Sequence, residues 1–310
     1  MGALQNANPP RANAEPPVML ILGDSVMWGQ GLEDGNKFYR LAFDQLAYKY
    51  PGLQAAMCAH SGAVIGAGMN QAWPSLPGEI PASGPTILDQ CNQYADPSPV
   101  RVVLMDGGIN DVDVRVILNP TTKPGDLSAL VKQHCYTDMK LLLQAVAAKF
   151  SDPACRIILL GYYPILSKSS ERHAVPFLLK ARGIPDADAL MQAVGASDPC
   201  DLALLFWRES DQWLSTAAAE VNQTPAANNR ITYMLPPFQE RNALFASDPW
   251  LWSVGMDLAA EDEVVDQRTD ECIRLVPGWL DCQVCRRASV GHPNPTGAIK
   301  YYEAIMTAFP

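Results

Sequence analysis

Val18-Met19-Leu20-Ile21-Leu22-Gly23-Asp24-Ser25-Val26-Met27-Trp28-Gly29 decides how this chain of 310 residues is read. An apolar run stops abruptly at Gly-Asp-Ser. A run of that length, bounded by glycine, predicts a buried parallel strand. Open α/β sheets place their chemistry at the carboxyl ends of such strands. Ser25 then stands just past a strand, near the start of the next helix. Backbone N–H groups at a helix start favour developing negative charge. That suits a serine nucleophile and the oxyanion its attack creates. The bland alternative is a Ser25 that only caps the helix.

The surroundings of this stretch belong to a globular chain. It is 48% hydrophobic and 18% charged, which supports a sizeable core. The length permits one large domain or two small ones. A net charge of −10 argues against nucleic acid, whose phosphates need basic patches, and gives no support for docking on anionic lipid. No apolar run approaches the ~20 residues of a spanning helix. Residues 1–17 are rich in Asn, Ala and Pro, lack an apolar core, and read as a flexible lead-in rather than a signal peptide. Met1-Gly2 is compatible with an added start on a mature secreted chain, and the reading leans to a secreted or periplasmic compartment over the cytoplasm. Eight cysteines permit disulfides without specifying them. Cys58 and Cys155 lie in apolar runs and read as free buried thiols. Cys272, Cys282 and Cys285 cluster in a polar stretch, where a bridge is expected. The lone Cys282-Gln-Val-Cys285 pair, without a second pair or nearby histidines, is a weak zinc signal.

Strand and helix patterns alternate along the chain. Leu53 to His60, Val100 to Met105, Arg156 to Gly161 and Ile231 to Leu235 read as further strands. Between them, Phe38 to Tyr48, Thr86 to Tyr94, Leu127 to Phe150 and Leu204 to Val221 read as helices. Leu127, Leu130, Val131, His134, Leu141, Leu142, Ala145 and Val146 mark the inner stripe of the third, with His134 a packing histidine. The prolines between residues 74 and 85 predict a surface loop. This alternation predicts a three-layer α/β/α sandwich around a five-stranded, mostly parallel, flavodoxin-like sheet. One domain is expected over residues 18–310. Two inserts, about 167–203 and 236–288, exceed what the sheet needs. Loops that long are usually functional or have structure of their own. They are expected to pack over the carboxyl end of the sheet and shape the pocket, or else to cover a sheet edge. Phe238, Leu244, Phe245, Trp250, Leu251 and Trp252 of the second insert suggest an apolar acyl or aryl pocket, or a flat carbohydrate platform. In Gly291-His292-Pro293-Asn294-Pro295, Asn294 is a natural N-cap and Pro295 a natural first helical residue. His292 is thereby held just before the closing helix.

Ser25, Gly62, Asn110 and His292 thus each follow a strand or precede a helix at one end of the sheet. Here the chain resembles the SGNH (GDSL-type) hydrolase family. Gly23-Asp24-Ser25 looks like its first block, and Ser61-Gly62 like its glycine block. Gly108-Ile109-Asn110-Asp111 matches its G-x-N-D block, and Gly291-His292-Pro293-Asn294 is similar to its histidine block. Each motif is short, but four in the family's order are specific; the two inserts fall outside the resemblance. It implies a serine esterase that hydrolyses small carboxylic esters through an acyl-enzyme. Ser25 is then the nucleophile and His292 the general base. The N–H groups of Ser25 and Gly62 and the side-chain amide of Asn110 form the oxyanion hole. No metal or organic cofactor is implied. Carbohydrate deacetylation is an alternative within the same chemistry.

One position departs from the family. An aspartate usually precedes the histidine by three residues, orienting the imidazole and stabilising its cation. Here Ser289 stands there. A main-chain carbonyl near Ser289 can orient His292 in a Ser-His dyad. A carboxylate from elsewhere, with Asp281 nearest in sequence, can substitute. Or the site is impaired and the chain is a binding module that keeps the fold. The carbonyl-supported dyad is favoured, because loss of function would have relaxed the other three blocks as well.

Overall fold

The computed structural model describes residues 15–66, 76–82, 84–184, 186–255 and 260–309. Most of the expected N-terminal lead-in, residues 1–14, lies outside them. The five expected strands form: β1 (Val18–Leu22), β2 (Gln54–Met57), β3 (Val100–Met105), β4 (Arg156–Leu160) and β5 (Ile231–Met234). They make one sheet in the order β2-β1-β3-β4-β5. Every pairing is parallel, with Ile21 opposite Met57 and Leu22 opposite Met105. All five side chains of β1 are buried, which is why its sequence is continuously apolar rather than alternating. Each such burial contributes about 1.5–3 kcal/mol.

Helices cover the sheet in two groups. Phe38–Lys49 packs with the closing helix Pro295–Thr307, and Pro124–Lys149 packs with the long helix Pro199–Asn222. The rings of Phe38 and Tyr301 stack at 4.8 Å and fasten the first pair. Asn294 caps the closing helix by accepting from Gly297 N–H at 3.1 Å, with Pro295 in its first turn. From β1 the sheet grows in both directions, to β2 on one side and β3 on the other. That reversal opens a crevice beyond the carboxyl ends of β1 and β3, where ligands bind in such sheets.

The structure corrects the sequence reading in two places. The helix expected from Leu127 to Phe150 is interrupted by a wide π-helical turn over Gln133–Asp138. The extra residue per turn rotates the following face. Leu141 therefore faces solvent, Cys135 and Met139 join the core, and half-buried His134 meets Asp138 at 2.8 Å. The proline-rich loop is also not all surface, because Glu79 and Ile80 are buried beneath the second insert. Both inserts carry structure of their own. The first contains helices Val175–Ala181 and Ala187–Gln192, and the second contains Val265–Leu275 and Trp279–Arg286. A Cys272–Cys285 disulfide joins the latter two. Cys58, Cys91, Cys135, Cys155, Cys200 and Cys282 are free. Among the described residues no helix is long and apolar enough to cross a membrane.

Candidate active site

The turn after β1 is built to hold Ser25 rigidly. Gly23 adopts φ +147°, and a Cβ there would fall 2.1 Å from Asp106 Oδ1, so only glycine fits. The Gln90 amide brackets it, accepting from Gly23 N–H at 2.8 Å and donating to Gly23 O at 3.0 Å. Asp24, not Ser25, is the N-cap: its carboxylate accepts from Val26 N–H at 2.8 Å. The hydroxyl of Ser25 is therefore left without a capping role. Asp24 Oδ2 also accepts from the Tyr162 hydroxyl at 2.9 Å, which in turn accepts from Ile109 N–H at 3.2 Å. This chain ties the turn after β1 to the turn after β3.

Behind Ser25 lie two buried carboxyls. Asp106 Oδ1 accepts from Asp24 N–H at 2.8 Å, while its Oδ2 is buried without a protein partner. Burial raises Asp24 to about 6. Burial, with the neighbouring Asp24 charge, raises Asp106 well above the usual carboxylate range. Two like charges this close do not both ionise. Asp24 keeps its charge because two donors serve it, and Asp106 holds the proton.

His292 reaches Ser25 across the crevice: its Nε2 lies 2.7 Å from Ser25 Oγ. Its Nδ1 lies 3.1 Å from the main-chain oxygen of Ser289. A carbonyl oxygen only accepts, so Nδ1 carries the proton and Nε2 offers its lone pair to the serine hydroxyl. Burial, then the nearby Arg182 charge, lowers His292 to about 3, while the carbonyl of Ser289 opposes that shift. The imidazole is therefore neutral at ordinary pH. The loop carrying it is clamped by the second insert. Trp252 N–H donates to His292 O at 2.7 Å, and Gly291 N–H donates to Trp252 O at 2.9 Å.

The remaining two sequence blocks complete the rim. Gly62 takes φ +78°, and a Cβ would strike the Ala82 backbone at 2.5 Å. The Asn110 side chain donates to Ala63 O at 2.9 Å, and its amide has a second N–H to offer. Asp111 accepts from Ile65 N–H at 3.0 Å, so the Gly-x-Asn-Asp turn pins the loop that bears Gly62. Among the described residues, the N–H groups of Ser25 and Gly62 donate to no protein acceptor. Ser25, Gly62, Asn110 and His292 all line one cavity of about 70 Å³, with Tyr163 and Arg182 on its wall.

Asp281 does not reach the imidazole. It lies exposed on the helix Trp279–Arg286 and lines a separate outer depression. Ser289 contributes through its carbonyl, and its hydroxyl points away to Asp262. The Asp262 side chain is fully buried and pairs with fully buried Arg268, whose other nitrogen meets Glu79 at 3.3 Å. Trp28 Nε1 also donates to Glu79 at 2.8 Å. This two-carboxylate, one-guanidinium cluster fixes the residue that orients His292. Asp262 lies in the run Glu261-Asp262-Glu263, and nothing in the spacing singles out Asp262, Arg182 or Arg268. The aromatic residues of the second insert are core rather than pocket. Phe238 packs on Tyr163 at 5.2 Å and on Trp250 at 5.2 Å. None of them lines the cavity among its described residues.

No family model matches the chain. No curated protein matches it. Among solved structures it is similar to a lipase from a goat rumen metagenome, at 17% identity and TM-score 0.40 over 70% of this chain and 80% of the other. It is also similar to an acetyl xylan esterase from Geobacillus stearothermophilus, at 14% and 0.38 over 94% and 93%. The esterase EstA from Pseudoalteromonas matches at 12% and 0.36 over 94% and 97%. Likenesses this distant identify neither family nor activity, so the function must be sought in the geometry of the site.

Proposed function

We propose that the chain is a serine esterase of the SGNH type, acting on small carboxylic esters through an acyl-enzyme. The observation that carries this reading is the 2.7 Å contact between Ser25 Oγ and His292 Nε2 at the sheet's switch point. Ser25 Oγ attacks the ester carbonyl carbon, and its proton passes to Nε2. The resulting oxyanion takes the N–H groups of Ser25 and Gly62 and the second N–H of Asn110. One such donor supplies about 3–4 kcal/mol of transition-state stabilisation. The imidazolium returns its proton to the departing alcohol, whose bond to the acyl carbon breaks. Water, deprotonated by His292, then releases the acid and frees Ser25. The Ser289 carbonyl does the orienting work of the missing aspartate, so a dyad suffices. The cavity of about 70 Å³ suits a short acyl group, being far below the roughly 300–1,000 Å³ of a drug-sized site. The insert tryptophans pack elsewhere, so a flat sugar platform has no support from them.

A fluorophosphonate probe tests the reading. The wild type is expected to lose hydrolysis of 4-nitrophenyl acetate as one label attaches to the peptide bearing Ser25. A protein that stays unlabelled, or carries the label elsewhere, overturns it.

A further inference from the structure

Arg230, Arg268 and Arg182 serve this fold in different ways. Arg230 donates to the carbonyls of Ala147, Phe150 and Ala226 at 2.6–2.9 Å, and Arg268 meets two carboxylates. Arg182 differs. Its guanidinium donates to the main-chain oxygen of Val290 and, among the described residues, pairs with no carboxylate. The head group, not merely the stem, stands at the histidine loop: its terminal nitrogen would lie 3.6 Å from a Cβ on Gly291. It lies on the wall of the Ser25–His292 cavity and also on that of the outer depression of about 290 Å³. Arg182 is thus common to the walls of both spaces. The depression is also lined by the apolar side chains of Val276, Leu280 and Val284 and by Arg115 and Asp281. Arg115 is already held by Asp113 at 2.6 Å, so Arg182 is the cation left to a ligand.

Resting on the esterase reading, we propose that the substrate is a short-chain ester of an anionic alcohol. Its acyl group sits beside Ser25, and a carboxylate or phosphate on the alcohol part pairs with Arg182. The planar guanidinium suits such a bidentate oxyanion. Among the described residues no carboxylate pairs with Arg182, and burial lowers its guanidinium to about 10. An overall net charge of −10 would repel such a substrate, so the local cation also selects where it lands.

The test compares 3-acetoxybenzoate with its uncharged methyl ester, reading kcat/KM for acetate release. The wild type is expected to prefer the charged ester by about tenfold. The preference should shrink at high salt, an arm that needs no variant. Arg182→Gln should erase it, and Arg182→Lys should keep part of it. Hydrolysis of the methyl ester without any preference for the charged one, or a preference that Arg182→Gln leaves intact, overturns the proposal while the esterase stands. If neither ester is cleaved and Ser25 takes no fluorophosphonate, both proposals fall together.

Discussion

The proton on Nδ1 of His292 is the smallest feature on which the chemistry turns. With the Ser289 carbonyl as its partner at 3.1 Å, the imidazole is held in the tautomer a base requires. Its lowered pKa, about 3, sets a sign for the pH profile. A base works only unprotonated, and a lowered pKa extends the unprotonated form to lower pH. The acid limb of kcat/KM should therefore fall well below the ordinary histidine value of about 6.5; a midpoint at or above it contradicts the assignment. The partner being main-chain also predicts how Ser289 responds to change. Ser289→Ala keeps the carbonyl and should retain kcat/KM within about tenfold, whereas loss of a true triad acid costs about 10⁴. Asp262→Asn should act on stability instead. It strips one carboxylate from buried Arg268 and should cost about 3–5 kcal/mol in a denaturant melt. The serine, the histidine and the departure at Ser289 were legible because each sits in a short block of fixed spacing. Asp262, twenty-seven positions earlier, was not, since only folding brings it to Ser289.

The turns after β1 and β3 act as one element, joined through Asp24, Asp106 and Tyr162. Because Asp106 holds a proton, an amide replaces it closely. Asp106→Asn should leave stability within about 1 kcal/mol, whereas Asp24→Ala removes the cap and the Tyr162 acceptor and should cost about 2 kcal/mol or more. Urea unfolding of the two variants checks this; equal losses would contradict a protonated Asp106 beside an ionised Asp24. Strands β1, β3 and β4 were legible because parallel strands buried on both faces read as nearly unbroken apolar runs. The π-helical turn at Gln133–Asp138 was not, because a period of 3.6 residues continued through it predicts Leu141 inside, whereas it faces solvent. The insert aromatics misled for a related reason. Phe238 and Trp250 signal burial equally well against a ligand or against Tyr163 and Tyr301, and composition does not say which.

At the scale of the whole molecule, the sheet order places the reversal between β1 and β3. The four sequence blocks, spread from residue 23 to residue 294, converge there on one cavity. The second insert holds the histidine loop and adds Ala288 to the cavity wall, and the first contributes Arg182. Ser25 as nucleophile is tested most directly by the rate of 4-nitrophenyl acetate hydrolysis by the wild type and by Ser25→Ala. The wild type should turn over, and the variant should be slower by at least about 10⁴-fold. Equal rates in the two proteins would contradict that role.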